Sequence, residues 1–172
     1  LPASVTTIGS YAFAAASATK AKMTSVTFLR DAADSTSVTN IGHYAFMYQK
    51  FSSFTLPKTV TTLGLQVFSD CKSLTSFTFE EGSALTKTGT YLFRNCTKLS
   101  SIELPIGLTT LTGSMFSGCT ALKNVIFARN ADGTSNITSI GETVFEKTGL
   151  VTIEIPASVT SIGKKAFTNT TK

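Results

Sequence analysis

The chain of 172 residues has no tryptophan, one histidine, three cysteines and four prolines. Each shortage excludes something. With His43 alone, no Cys/His zinc set can be assembled. The three cysteines lie 25 and 23 residues apart, which are repeat lengths rather than metal-ligand spacings. No Ser or Cys nucleophile stands in register with His43, so it reads as a solvated turn residue. No apolar run approaches the ~18 residues that a membrane-spanning helix needs. The first residues already belong to a repeat, and no signal peptide is visible. The net charge of +5 is scattered over Lys58, Lys72, Lys87, Arg94, Lys98 and Lys123, with Lys164 and Lys165 the only adjacent pair. No motif interleaves bases and aromatics, so nucleic acid is not an expected partner.

What the chain does have is self-similarity. Pro156 to Phe167, PASVTSIGKKAF, matches Pro2 to Phe13, PASVTTIGSYAF, at nine of twelve positions. A phenylalanine anchor recurs at Phe13, Phe46, Phe68, Phe93, Phe116, Phe145 and Phe167. Eight residues before each stands Val5, Val38, Val60, Leu85, Leu108, Ile137 or Val159. Five before stands another apolar residue, except at Thr88. Four before stands Gly9, Gly42, Gly64, Gly89, Gly141 or Gly163, with Thr112 breaking that column. Self-similarity at this period is the signature of a solenoid.

After each anchor an L-x-x-L-x-L pattern begins, at Met23, Phe51, Leu74, Leu99, Leu122 and Leu150. Its alternation predicts six short, half-buried strands, one per repeat, stacked in parallel about 4.8 Å apart. Pro57, Pro105 and Pro156 end three of them. The V-x-x-I segment then crosses the structure, and the Gly marks a turn intolerant of a side chain. The x-x-A-F-x-x-C stretch reads as one helical or 3₁₀ turn, with Ala12, Ala45 or Ala166 letting it approach the core. No single copy can shield its Phe from water, so copies must stack.

The motifs LxxIxIP, VTSIG, AF and the Cys that follows resemble the leucine-rich repeat of the BspA type, also called the Treponema pallidum type. The likeness covers essentially all of residues 1–172. It implies a β-dominated, curved right-handed solenoid, a single domain of about six repeats. Parallel strands would line its concave face, with a short second strand and the helical or 3₁₀ turn on the other side. It implies cell-surface or secreted proteins of bacteria and some protists, several of them adhesins, with no shared catalytic residues. Both ends of the chain cut through a repeat, which points to a fragment of a longer array. Thr88, Thr112 and three long spacers depart from the pattern.

The outward columns of the strands form the candidate binding surface. One runs Ser25, Ser53, Ser76, Ser101, Asn124, Thr152; the next runs Thr27, Thr55, Thr78, Glu103, Ile126, Glu154. They must point away from the core because their neighbours point in. The expectation is a hydroxyl-rich sheet with an acidic C-terminal end. Lacking Trp, Tyr and Arg, it would bind weakly per repeat and gain from avidity. Two similar insertions, FLRDAADSTSV from Phe28 and FARNADGTSNI from Phe127, flank one edge.

Other candidates are weaker. Glu103 and Glu154 would lie on the order of 10 Å apart, beyond the ~5–9.5 Å of glycosidase carboxylate pairs. The Asn130 loop is oxygen-rich but lacks the spaced carboxylates and distal Glu of a calcium loop. Cys71, Cys96 and Cys119 share one slot and read as a column of buried thiols, with a disulfide between neighbours as the alternative. Asn95, Asn136 and Asn169 begin Asn-x-Thr triplets, which matter only in a eukaryotic secretory route. No metal or cofactor is expected. The sequence favours a non-enzymatic extracellular module that contacts a protein or glycan. A spacer projecting another domain is the alternative, and a solenoid carbohydrate-active enzyme is a third, weaker one.

Overall fold

A computed structural model describes residues 1–170. The chain winds as a solenoid of parallel strands, and no helix occurs among the described residues. Four strands make the broad face: β3 (Ser53–Leu56), β5 (Ser76–Phe79), β7 (Ser101–Leu104) and β9 (Asn124–Phe127). On the other side run two-residue strands: β1 (Thr7–Ile8), β2 (Asn40–Ile41), β4 (Thr62–Leu63), β6 (Lys87–Thr88), β8 (Thr110–Leu111), β10 (Ser139–Ile140) and β11 (Ser161–Ile162). All pairings are parallel and in register, for example Phe54 with Phe77 and Ile41 with Leu63.

The anchors form one file. Successive rings from Phe13 through Phe46, Phe68, Phe93, Phe116 and Phe145 to Phe167 stack at 5.3–5.7 Å, within 20° of parallel. Strand residues Phe54 and Phe77 wedge edge-on against Phe68 and Phe93, each at 4.7 Å. Offset and edge-on geometry suits the ring quadrupole. Phe46, Phe68, Phe93, Phe116 and Phe145 are fully buried, while Phe13 and Phe167 are half-buried because each has one stacking partner.

The turn around each anchor is not helical, contrary to expectation. Residues two before and two after the Phe take left-handed φ, Ala15 excepted, from 53° to 68° for the non-glycine residues. This alternation aims every second N–H along the solenoid. Tyr44, Phe46 and Tyr48 donate to Leu65, Val67 and Ser69 carbonyls of the next repeat at 2.8, 3.0 and 3.0 Å. The intervening Met47 and Gln49 N–H groups close β-turns on Tyr44 and Phe46. A helix would spend all its N–H groups within its own repeat. Here half of them stitch neighbours together. Ala45 and Ala166 are buried as expected, but Ala12 is exposed.

The glycine column has a measurable cause. A Cβ on Gly64 would sit 2.6 Å from the His43 nitrogen, and one on Gly89 2.5 Å from the Leu65 nitrogen. Gly9, with no earlier repeat against it, has nothing within 4 Å. The glycines therefore admit the backbone of the previous repeat.

The broad face is not one continuous sheet. Its ladders join β3 to β5 and β7 to β9 only. In each joined pair the residue after the second strand donates to the end of the first: Glu80 N–H to the Leu56 carbonyl and Ala128 N–H to the Leu104 carbonyl, both at 3.1 Å. Pro57, Pro105 and Pro156 occupy that position after Leu56, Leu104 and Ile155 and have no N–H to give, whereas Leu29, after Phe28, donates to the Leu1 carbonyl at 2.8 Å. The expected first and last strands, 25–28 and 152–155, accordingly form no ladder with β3 or β9, and Thr27 and Leu29 bond instead to the backbone of Leu1. On the narrow side the ladder breaks once, between β6 and β8. There Thr112 replaces the glycine, and its Cβ prevents the same close approach. Its hydroxyl instead donates to the Gly89 carbonyl at 2.8 Å and meets the Thr88 hydroxyl at 3.3 Å. Only the turn ridge, through Tyr91, Phe93 and Asn95 N–H groups, crosses this seam without interruption.

Candidate functional site

Strand alternation sets the broad face. Ser53 and Thr55, Ser76 and Thr78, Ser101 and Glu103, and Asn124 and Ile126 are exposed. Their neighbours Phe54, Leu56, Phe77, Ile102, Leu104, Val125 and Phe127 are buried. Register aligns Ser53 with Ser76, Thr55 with Thr78, Ser101 with Asn124 and Glu103 with Ile126. Ser25, Thr27, Thr152 and Glu154 are exposed as well, but lie outside the strands.

The polar groups of this face are uncommitted. Among the described residues, the side chains of Ser53, Thr55, Ser76, Thr78, Ser101, Glu103 and Asn124 make no hydrogen bond or ion pair. Threonines just before a strand behave otherwise on both sides, and on the broad side the Thr75 hydroxyl donates to the Ser52 carbonyl at 2.8 Å. Thr61, Thr138 and Thr160 hydroxyls donate to the carbonyls of Thr39, Thr109 and Thr138 in the preceding repeat, at 3.1–3.3 Å. Hydroxyls just before a strand are thus internal staples, and those on the outward positions of the strands, Thr7 and Thr110 of the narrow side included, are free groups.

The expected acidic end is modified. Glu154 is held by the Arg129 guanidinium, leaving Glu103 as the free carboxylate. Ile126, 47 % exposed, adds an apolar spot beside Glu103. Glu154 is thus engaged by a cation and not paired with Glu103 for acid–base chemistry.

The two insertions fold alike. Arg30 donates to the Asp34 carbonyl at 2.8 Å and Arg129 to the Gly133 carbonyl at 2.9 Å, four residues on in each case. Asp34 and Gly133 both hold left-handed φ. Each arginine also clamps a glutamate on a neighbouring strand end, Glu80 for Arg30 and Glu154 for Arg129. Asp132 accepts from the Thr134 hydroxyl and amide, which lowers its carboxyl below the usual range. Between the insertions, at the ends of β5 and β7, lies a groove of about 380 Å³ floored by Phe79, Leu104, Pro105 and Ile106 and edged by Glu81 and Glu103. No local pattern announces it, because it forms where Pro105 withholds the donor that would have joined β7 to β5.

The cysteines are free and buried. Cys71, Cys96 and Cys119 thiols donate to the carbonyls of Phe46, Phe68 and Phe93 at 3.2, 3.2 and 3.0 Å. Each thiol thus satisfies the carbonyl of the previous anchor. Gln49 does the same for Phe13 through its side-chain amide. Burial pushes Cys71 and Cys119 up to about 12 and Cys96 well above its ordinary value. These are unreactive structural thiols, not nucleophiles. His43 accepts the Leu65 N–H at its Nδ1 (2.8 Å), a backbone role not expected of it. Among the described residues no three His, Cys, Asp or Glu side chains gather as a metal site, and no helix is long and apolar enough to cross a membrane.

Residues 39–172 match the model of the BspA type leucine rich repeat region, in six copies. A leucine-rich repeat protein from Bacteroides ovatus superposes with a TM-score of 0.77 at 29 % identity, over 95 % of this chain and 38 % of its own. A leucine rich cell surface protein from Faecalibacterium prausnitzii gives 0.56 at 29 % identity, over 77 % and 41 %. The leucine-rich repeat protein of T. pallidum gives 0.52 at 22 % identity, over 83 % and 70 %, a likeness of fold alone. The chain thus spans about four-tenths of the first two solved proteins. No curated protein matches it in sequence.

Proposed function

This chain belongs to the BspA-type leucine-rich repeat family, and from that premise we propose that it is a non-enzymatic binding module at the cell surface or outside the cell. Its partner is an extracellular protein or glycan that lies across the strand face, in the manner of an adhesin segment. The observation that carries this reading is the in-register column of unspent polar groups on the four-residue strands of the broad face. Threonines that precede a strand bond to the repeat before them, whereas the outward hydroxyls of the broad strands are left for something else to bond. That the similar F. prausnitzii protein is a cell surface protein supports the location. Free Glu103, exposed Ile126 and the adjoining groove give the face polarity along its length. Nothing in the site pairs a nucleophile with a base, which favours recognition over turnover.

An array of extracellular-matrix proteins and glycans, screened with this chain, tests the reading. Binding should fall when Thr55, Ser76 and Thr78 are together changed to bulky residues, with the thermal melt unchanged. Binding that survives that change would place the partner elsewhere. No binding to any arrayed molecule would favour a spacer that merely holds other domains outward.

A further inference from the structure

The turn ridge carries its own side-chain columns, and one of them has a gap. All four tyrosines of the chain, Tyr11, Tyr44, Tyr48 and Tyr91, sit on this ridge at left-handed φ. That backbone is common to the whole ridge, Gln66, Ser114, Thr143 and Lys165 included, so what sets these positions apart is the ring itself. In the column two residues before the anchor, Tyr11 stacks on Tyr44 at 4.6 Å. Tyr91 has no such neighbour on its C-terminal side, because the next residue in the column is Ser114.

The whole of that repeat is cut low here: Gly113, Ser114 and Ser117 are all small. Tyr91 stands on one side, 39 % exposed, with the Arg94 guanidinium 5.5 Å from its ring centre. Glu142 and Glu146 stand on the other. The walls are two repeats apart, on the order of 10 Å, and enclose a cleft of about 550 Å³. Arg94 and Glu142 make no ion pair among the described residues. Glu146 accepts from the Ser117 hydroxyl at 3.2 Å. Ridge N–H groups are already used between repeats, Tyr91 to Gly113, Ser114 to Glu142 and Gly118 to Glu146. An occupant would therefore meet side chains only.

The chemistry narrows the occupant. Two carboxylates disfavour an anion, and Arg94 disfavours a simple cation. One aromatic face is too little for an apolar side chain. What fits is a neutral ring with an apolar C–H face and a rim of hydroxyls. We propose that this cleft is a sugar-binding site that takes one pyranose unit of a neutral glycan. The face of Tyr91 that the Arg94 guanidinium does not cover lies against the C–H face. Arg94 donates to ring hydroxyls, and Glu142 and Glu146 accept from them. The site lies on the turn ridge and does not depend on the strand-face reading.

The test is titration of the 172-residue protein with a panel of neutral oligosaccharides, read by saturation-transfer NMR and calorimetry. At least one should bind with a millimolar or better Kd. Ser114→Tyr fills the gap with the residue three other ridge positions already carry in this backbone, so the fold should survive. That variant and Tyr91→Ala should each weaken binding about tenfold or more. Glu142→Ala, which removes an exposed side chain without bonds, should weaken it with an unchanged melt. The change of Thr55, Ser76 and Thr78 should leave it intact. The proposal is overturned if no neutral oligosaccharide binds in the millimolar range. It is equally overturned if binding persists in Ser114→Tyr and Tyr91→Ala, or if tetramethylammonium competes for the cleft.

Discussion

Phe93→Ala should be among the most damaging single truncations in the chain, and the structure says by how much. The ring is fully buried and touches three others: Phe68 at 5.7 Å, Phe116 at 5.6 Å and Phe77 at 4.7 Å. Emptying such a site costs about 3–5 kcal/mol in lost transfer energy and residual cavity. Flanking repeats cannot close the gap, because the turn ridge fixes their spacing through backbone hydrogen bonds. The upper half of that range is therefore expected. Against a total stability of about 5–15 kcal/mol, this is a large fraction. Phe167→Ala makes the control. That ring is half-buried with one stacking partner, Phe145 at 5.3 Å. Its loss should cost about 1–2 kcal/mol, as partial burial of one side chain implies. Urea unfolding followed by far-ultraviolet circular dichroism measures both. A reduced m-value in Phe93→Ala would mean that the solenoid has begun to unfold in parts. Equal costs for the two variants, or a cost below about 1 kcal/mol for Phe93→Ala, would refute the claim that the stacked rings are the mutual core.

Gly64→Ala should destabilise by about 1–3 kcal/mol, since its Cβ meets the His43 nitrogen at 2.6 Å. Gly9→Ala should be neutral or stabilise by up to about 1 kcal/mol, because its site is open; thermal melts of the pair decide it. Pro105→Ala supplies the missing donor toward β5, so the amide at position 105 should become protected in hydrogen exchange, and rapid exchange there would disprove the account of the seam. The thiol of Cys71 has its pKa raised from 9.0 to about 12 by burial. The folded state then holds this proton more tightly than the unfolded chain, so the stabilisation is complete below pH 9 and declines as pH rises toward about 12. The slope is about 1.4 kcal/mol per pH unit per thiol. Urea midpoints at pH 8 and 10.5 should therefore converge in Cys71→Ala relative to the parent, and an unchanged difference would contradict it.

Much of this molecule was legible in its residues, for a physical reason. In a solenoid each repeat contacts chiefly its neighbours, so one local pattern written several times is nearly the whole fold. The Phe, aliphatic and Gly columns state which side chains face inward, and period-2 alternation states which face of the strands is polar. Thr88 and Thr112 already stood out as exceptions. Their meaning did not, because a Cβ in the glycine column matters only once the preceding backbone is in place against it. Proline carried the same hidden message. Its lack of an N–H is local, but which carbonyl goes unanswered depends on the strand alongside. The turn around each anchor was misread as helical because Ala and Phe suit a helix. Left-handed φ at alternate residues prevails there, since it lets the N–H groups bond between repeats. The Tyr91 cleft also belongs to tertiary structure alone. Small and large residues some 25 positions apart mean nothing until stacking brings them side by side.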